Sequence, residues 1–192
     1  MSRLKTMYAA LAVVDTVLAA TGRDRQRRFV KPLLMPTLLV GAPRPIQHAL
    51  ALGGLGDVTL LGKSDAAFMA GLGSFLLGHV AWMAALRPQS TGVLRRSPVK
   101  AAPYLIAWAG SNAYLWPRTG RDRLPVLVYS TALLGTALAA FDTGDAKVTA
   151  GGALFLASDG LLALEKFSRV ELPLHEGIVM ASYTSAQALL SS

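Results

Sequence analysis

The chain has 192 residues, of which 53% are hydrophobic and 16% are charged, whereas an ordinary soluble domain has about 25% charged residues. Its 19 basic and 11 acidic side chains give a formal net charge of +8. The absence of cysteine excludes a disulfide framework, a thiolate nucleophile and a thiolate metal site. The apolar residues form blocks long enough for membrane helices, and the basic residues fall between them. We therefore expect contacts with anionic lipid headgroups and not with nucleic acid.

Charged and Pro/Gly-rich breaks divide the sequence into eight predicted spans. The first, Lys5–Thr21, is predicted to be a membrane helix and not a signal peptide, because Asp15 lies at its centre and no small-residue cleavage site precedes "GRDRQRR". The second, Lys31–Val40, contains Pro32 and Pro36 and is expected to be broken or tilted. The other spans are Pro45–Leu61, Asp65–Leu86, Val99–Trp116, Leu124–Phe141, Val148–Glu165 and Leu174–Leu190. The sequence thus predicts an all-α polytopic transmembrane bundle that forms a single integral membrane domain, residues 1–192.

Three carboxylates, Asp15, Asp57 and Asp159, lie inside predicted spans. An Asp at the centre of a membrane helix costs about 2.5–3.5 kcal/mol on insertion scales, and is therefore a functional hypothesis by default. The three spans run in the same direction, so we expect the carboxylates in one layer about 9–11 Å below one surface. We expect Asp57 and Asp159 to be functional. For Asp15 a structural role, paired with a neighbour or with Lys31, is the stronger of two open interpretations.

Further polar residues are predicted to reach the same half of the bundle: Lys31, His79, Asn112, Tyr129, Tyr183 and Gln187. With the carboxylates they suggest a funnel that has a basic rim and His79 at its floor, which suits an amphiphile with an anionic headgroup. Packing roles for His79 and the two tyrosines remain open. A closed zinc site would need more His or Cys ligands than one mid-span His supplies. A serine nucleophile is poorly supported, because there is no GxSxG motif and Ser158 has no obvious His partner in its layer.

The third and seventh spans align without gaps, with "LGDVTLL" over "ASDGLLA". In both segments the acid follows a small residue, and four spans separate the two. The match suggests an internal repeat of a four-helix unit.

Five motifs in chain order resemble those of the YhhN family of membrane proteins. They are "KPLLMP", "LGDVTLL", "GLGSFLLGHVAW", "GALFLASDGLLALEKF" and "SYTSAQ". That family includes transmembrane lysoplasmalogenases, so the resemblance implies an eight-span bundle that hydrolyses the vinyl ether bond of a lysoplasmalogen. The products would be a fatty aldehyde and glycerophosphoethanolamine or glycerophosphocholine. It also implies Asp57 and Asp159 as catalytic residues accompanied by Lys31 and His79, and we expect a multi-pass protein of a bacterial plasma membrane.

Vinyl ether hydrolysis begins with protonation of the β-carbon and passes through an oxocarbenium ion that water traps. Two carboxyl groups in one apolar layer suit this reaction, because burial and mutual repulsion favour one protonated and one ionised group. Glycosidases meet the same oxocarbenium problem with a carboxylate pair. The reaction requires no metal or organic cofactor. Two other functions stay open at this point, a small secondary or proton-coupled transporter and a non-catalytic lipid-binding bundle, and the oligomeric state is likewise open.

Overall fold

The computed structural model describes residues 3–62, 64–168 and 173–192. These residues form helices and no strand, which confirms the predicted all-α class. The helices are α1 (Arg3–Ala20), α2 (Asp24–Leu39), α3 (Arg44–Thr59), α4 (Asp65–Leu86), α5 (Val93–Arg96), α6 (Ala102–Leu115), α7 (Arg123–Asp142), α8 (Ala146–Ser168) and α9 (His175–Leu190). Each predicted span has a helix, and α5 is a single turn in the connection that leads to α6.

Within the described residues, three helical segments are long and apolar enough to cross a membrane. They are Asp65–Gln89, Gly120–Asp142 and Ala146–Ser168, which contain α4, α7 and α8. The remaining long helices have 14 to 18 residues, fewer than the about 20 that a typical span needs. Three spanning helices indicate an integral membrane protein, and the full count of eight spans stays a prediction.

Helix α2 differs most from its predicted span. It begins at Asp24, seven residues before Lys31, and continues through Pro32 and Pro36 to Leu39. Of the two expectations for this span, the break was wrong because the helix is continuous, and the tilt stays a prediction. Contacts with α1 and α3 hold the helix together, and they offset the backbone hydrogen bonds that the two prolines remove. The charged residues Asp24–Arg28 precede the predicted span and were expected in a loop. They form the first turns of this helix.

Local signals set the start of two helices that carry site residues. The Oγ atom of Ser64 accepts a hydrogen bond from the backbone N–H of Ala67 at 3.1 Å and caps α4. The carboxylate of Asp145 accepts the backbone N–H groups of Lys147 and Val148 at 2.7 and 3.1 Å at the start of α8. These two bonds lower the pKa of Asp145. Gly144, with φ of +74°, lets the chain reverse between α7 and α8.

Seven helices pack in a closed ring in the order α1, α2, α3, α4, α7, α8, α9 and back to α1. Helix α4 lies beside α7 because α5 and α6 project outside the ring, where α6 packs on α7 and α8. The largest fully buried side chains include Trp82 on α4 and Phe155 on α8. The ring brings α3 and α8, which carry the two predicted catalytic acids, to face a common interior.

Helices α7 and α8 approach closely at Gly152. A Cβ atom at this position would lie 2.7 Å from the Ala140 Cβ and 3.1 Å from the Ala137 Cα. Gly73 on α4 differs, because a Cβ atom there would meet nothing within 4 Å. Small residues therefore support helix packing at the first position and not at the second.

We expect the substitution Gly152→Ala to lower thermal stability in detergent, because the added methyl must push α7 away. Overpacking of this kind costs about 1–3 kcal/mol. The same change at Gly73 serves as the control. It should leave the melting temperature unchanged or slightly raised, because Ala favours helix over Gly by about 1 kcal/mol. Equal melting temperatures for the two variants would contradict close packing at Gly152.

Candidate active site

The helical ring encloses a polar cavity of about 270 Å³ that contains both predicted catalytic acids. Its lining includes Lys31 on α2, Asp57 on α3, Tyr129 on α7, Asp159 on α8 and Tyr183 on α9. These residues are separated by up to 152 positions in the chain and come from five helices. The fold therefore brings the two predicted carboxylates into one cavity, which we call the polar cavity.

Asp57 is 2% exposed and has a cationic and a neutral partner. The Nζ atom of Lys31 lies 3.2 Å from its Oδ1, and the hydroxyl of Tyr183 donates to its Oδ2 at 2.7 Å. Behind the tyrosine, the Nε2 amide of Gln187 donates to the Tyr183 hydroxyl at 3.2 Å. A positive charge and a hydrogen-bond donor at this distance both favour the ionised form of a carboxyl group.

Asp159 has different partners. The hydroxyl of Tyr129 donates a hydrogen bond to its Oδ2. Behind it, the Nε2 atom of His79 lies 3.2 Å from the Tyr129 hydroxyl and 3.8 Å from Asp159 Oδ2. The Nδ1 atom of the same ring lies 3.1 Å from the Oγ1 of Thr136. Within the described part of the chain, no lysine or arginine pairs with Asp159, so the two carboxylates differ in charge compensation.

The two carboxylates are contacted in a related pattern across the ring. Asp57 on α3 is contacted from α2 and α9, and Asp159 on α8 from α7 and α4. With α1–α4 as the first half and α6–α9 as the second, each acid has one partner on the helix before its own, which is α2 for Asp57 and α7 for Asp159. The other partner is on the last helix of the opposite half, which is α9 for Asp57 and α4 for Asp159. A four-helix repeat would produce this pattern, and the repeat itself stays a prediction.

A second, apolar cavity of about 570 Å³ lies between α4, α6, α7 and α8. The predicted site residue Asn112 lines this cavity, where its Oδ1 accepts a hydrogen bond from Ser130 at 3.0 Å. The apolar and polar cavities share five lining residues: Leu60, Phe75, Tyr129, Asp159 and Leu162. Asp159 and its tyrosine partner thus stand where the two cavities meet.

His79 and Gln187 line neither of these cavities. His79 is 1% exposed, and its ring packs edge-on against Tyr129 with centroids 5.3 Å apart. His79 approaches Asp159 directly as well as through Tyr129, since its Nε2 lies 3.8 Å from Asp159 Oδ2, and a role of His79 in binding substrate stays a prediction. Both residues support a tyrosine that in turn contacts a carboxylate.

The rim of the polar cavity has mixed charge and is not purely basic. Two arginines and three acidic residues line it: Arg27, Arg28, Asp24, Glu165 and Glu176. The Nη1 of Arg27 lies 2.8 Å from Glu176, and its Nε lies 3.4 Å from the fully buried carboxylate of Asp15. Asp15 lines neither cavity and joins α1 to α2 through this ion pair, an arrangement that favours a structural role for it.

A metal ion and a serine nucleophile are the two alternatives based on other chemistry. Among the described residues, no group of three or more His, Asp or Glu side chains is placed to hold a metal ion. The Oγ of Ser158 donates to the carbonyl of Val179 at 3.0 Å, and no histidine in the described part of the chain pairs with it. Its hydroxyl is therefore held by the backbone of α9.

Two residues near the site were missed in the sequence. Thr136 was detectable, because it follows Tyr129 by seven residues on α7, so the two lie on one face of the helix. Arg27 is one of several basic residues in "GRDRQRR", and nothing in that segment distinguishes it from its neighbours. Its ion pair with Asp15 joins two helices, and no helical period links the two positions.

Comparison with known proteins agrees with this architecture. A family model described as the YhhN family matches residues 26–192. Two proteins named Lysoplasmalogenase, from Mycobacterium bovis and Mycobacterium tuberculosis, are each 35% identical to the chain over 107 residues. The match covers 53% of this chain and only 41% of the length of each relative. No solved structure matches the chain. Because the family model covers all but the first 25 residues, the chain belongs to the YhhN family.

Proposed function

We propose that the protein is an integral membrane hydrolase that cleaves the vinyl ether bond of lysoplasmalogen-type lysophospholipids. The products would be a fatty aldehyde and glycerophosphoethanolamine or glycerophosphocholine. One observation carries the proposal: Asp159 lies at the junction of a polar and an apolar cavity, and Asp57 lines the same polar cavity. Family membership and the name of the two Mycobacterium relatives support this class of reaction.

The two cavities suit the two parts of such a substrate. The glycerophosphate headgroup would occupy the polar cavity, and the hydrocarbon chain would occupy the apolar one. The vinyl ether bond joins these two parts, so it would lie beside Asp159. Exclusion of water from the apolar side strengthens the electrostatic interactions at the bond to be broken.

In the proposed reaction the Asp159 carboxyl donates its proton to the β-carbon of the vinyl ether. The C=C electron pair forms the new C–H bond, and the ether oxygen shares the positive charge that develops on the α-carbon. The Asp57 carboxylate stabilises this oxocarbenium ion and accepts a proton from the attacking water. The resulting hemiacetal then breaks its C–O bond to the glycerol. Asp57 returns its proton to the departing glycerol oxygen, and Asp159 takes up the hydroxyl proton of the hemiacetal as the aldehyde C=O bond forms, so both carboxyl groups regain their starting states.

Lys31 has a different proposed role from the one the sequence suggested. Its Nζ lies 3.2 Å from Asp57 and its side chain is 11% exposed, so the carboxylate engages it and little of it is open to a lipid phosphate. We assign it to keeping Asp57 ionised. Arg28 has an exposed side chain that lines the polar cavity, and is the better candidate for the phosphate.

The proposal includes the eight-span topology in a bacterial plasma membrane and the internal four-helix repeat. Shorter helices also carry apolar side chains on their outer faces, such as Val13 on α1, which is 63% exposed, and Ile106 on α6, which is 71% exposed. Lipid chains would cover such side chains, whereas water would not favour them.

The function is tested by offering three lysolipids of equal chain length and headgroup to the purified protein. We expect aldehyde release from the vinyl ether and no reaction of the saturated ether, because only the vinyl ether has an electron-rich alkene to protonate. The ester should also fail to react, because it needs an attacking nucleophile and an oxyanion hole. The rate should be several-fold lower in heavy water, since proton transfer to carbon limits it.

The same lysolipids, offered to the purified protein and to vesicles that contain it, distinguish the alternatives. Binding of all three lysolipids without aldehyde release would favour a non-catalytic lipid-binding protein. Passage of a lysolipid across a vesicle membrane without hydrolysis would favour a transporter. Fatty acid release from the ester, at a rate comparable to aldehyde release, would contradict the two-carboxylate mechanism.

A further inference from the structure

We propose that His79 is a positioning residue for Asp159 that acts through Tyr129. In this role it holds the tyrosine hydroxyl as a hydrogen-bond donor to one carboxylate oxygen and leaves the other oxygen to carry the acid proton. The inference rests on the proposed function, because it explains how Asp159 would be prepared to protonate a carbon atom. His79 touches neither cavity and is therefore not a catalytic residue in this scheme.

The direction of the hydrogen bonds follows from the number of available protons. Tyr129 has one hydroxyl proton, and it donates that proton to Asp159 Oδ2. The contact of 3.2 Å between Tyr129 and the His79 Nε2 must then be donated by the histidine. A neutral ring with its proton on Nε2 satisfies this requirement and leaves Nδ1 as an acceptor.

Thr136 completes the arrangement on the other side of the ring. Its Oγ1 lies 3.1 Å from the His79 Nδ1, and its one proton can go to that nitrogen or to the backbone carbonyl of His79 or Ala132, each 3.2 Å away. Both groups are fully or almost fully buried, at 0% and 1% exposure, so water does not compete for these bonds. The Nε2 tautomer that the Tyr129–Asp159 hydrogen bond requires leaves Nδ1 free to accept the Thr136 proton, so the threonine is compatible with that tautomer.

The opposite tautomer would disturb the acid. With its proton on Nδ1, the His79 Nε2 would become an acceptor and compete with Asp159 for the single Tyr129 proton. With both nitrogens protonated, the ring would place a positive charge 3.8 Å from Asp159 Oδ2 and favour the ionised carboxylate. In either case the carboxyl group would be less suited to donate a proton.

The partners of Asp57 resemble those of Asp159 in hydrogen bonding and differ from them in charge. There Gln187 supports Tyr183 as His79 supports Tyr129, with a distance of 3.2 Å in both cases. Asp57 in addition has the ammonium of Lys31, whereas the donors to Asp159 among the described residues are neutral when His79 is uncharged. Gln187 and His79 thus each contact a tyrosine that donates to a carboxyl group. The proposed mechanism uses Asp57 in the ionised form and Asp159 in the protonated form.

The test compares two variants of His79 in the aldehyde-release assay. His79→Phe keeps a ring and removes the donor, and should lower kcat about 10- to 100-fold, as loss of a ligand-orienting partner does in metal sites. KM should change less than about twofold, because an effect confined to the transition state leaves substrate binding intact. His79→Gln retains an N–H that can reach Tyr129, and should recover most of the lost kcat.

His48→Phe is the matched control, because His48 is exposed, lies nine residues before Asp57 on α3 and lines neither cavity. It should leave kcat and KM unchanged. A rise in KM with unchanged kcat in His79→Phe would overturn the proposal. So would a His79→Gln variant that is folded, by its melting temperature, and no more active than His79→Phe.

A second measurement does not depend on turnover or on the folding of the His79→Phe variant. The ring ¹⁵N signals that vanish in His79→Gln belong to His79, and their chemical shifts in the wild-type protein should show a neutral ring with its proton on Nε2. Tyr129→Phe should shift the resonance of the protonated nitrogen. A His79 proton on Nδ1 in an active enzyme would refute the positioning role alone, whereas a wild-type protein that releases no aldehyde would refute the proposed function.

Discussion

Asp159→Asn is expected to abolish aldehyde release while the protein stays folded and inserted. The amide keeps the shape of the carboxyl group and can still accept the hydrogen bond from Tyr129. It cannot donate a proton to carbon and recover it from solvent, so the rate should fall about 10²–10⁴-fold, the usual contribution of a positioned general acid. The measurement is kcat on a vinyl ether lysolipid, together with the melting temperature in the same detergent.

Asp65→Asn is the control for this substitution. Asp65 is exposed at the start of α4 and lines neither cavity, so the same loss of a carboxylate there should leave turnover unchanged. An Asp159→Asn variant that retains a rate within a few-fold of wild type would remove Asp159 from the mechanism. Because the side chain of Asp159 is about 10% exposed and lacks a cationic partner among the described residues, we expect only a small change in melting temperature.

Asp57→Asn should lose both turnover and stability. The substitution removes the partner of the Lys31 ammonium, which then remains in the protein interior without a counter-charge. Breaking a buried ion pair in this way costs about 3–5 kcal/mol. Lys31→Met should destabilise the protein for the converse reason, because it leaves the carboxylate of Asp57 uncompensated. Both variants are measured by melting temperature and by aldehyde release.

The double variant Lys31→Met/Asp57→Asn separates the two effects. It removes both charges together, so its melting temperature should be higher than that of either single variant, a coupling expected for residues in direct contact. Its turnover should remain lost, because no carboxylate is left to accept the proton from water. A double variant no more stable than the singles would contradict the ion pair, and an active one would exclude Asp57 from catalysis.

The mixed charge at the rim bears on the substrate headgroup. Arg27 is engaged by Asp15 and by Glu176, so its position depends on contacts to two other helices. Arg28 is the exposed arginine that lines the polar cavity. A lipid phosphate would therefore meet Arg28 first, and deeper entry would bring it towards the Lys31–Asp57 pair.

The sequence by itself was sufficient to predict the all-α class and the approximate place of each long helix. It also singled out Asp57 and Asp159, because a carboxylate inside an apolar block carries an insertion cost that packing alone does not explain. Such features are local: they depend on which residues are neighbours in the chain. For the same reason the short connection at Gly144 and the helix-capping residue Asp145 agree with an antiparallel α7–α8 pair.

The tertiary structure decided how the acids are partnered. Tyr183 is 126 residues from Asp57, and Lys31 is on another helix, so their contacts depend on the order of helices in the ring and on the rotation of each one. The same dependence explains why Lys31 pairs with Asp57 and why His79 contacts the hydroxyl of Tyr129. It also explains the early start of α2, whose charged first turns are held by the ion pair of Arg27 with Asp15 on α1. A hydrophobic pattern specifies which residues are buried, and only the packed helices specify which buried polar groups meet.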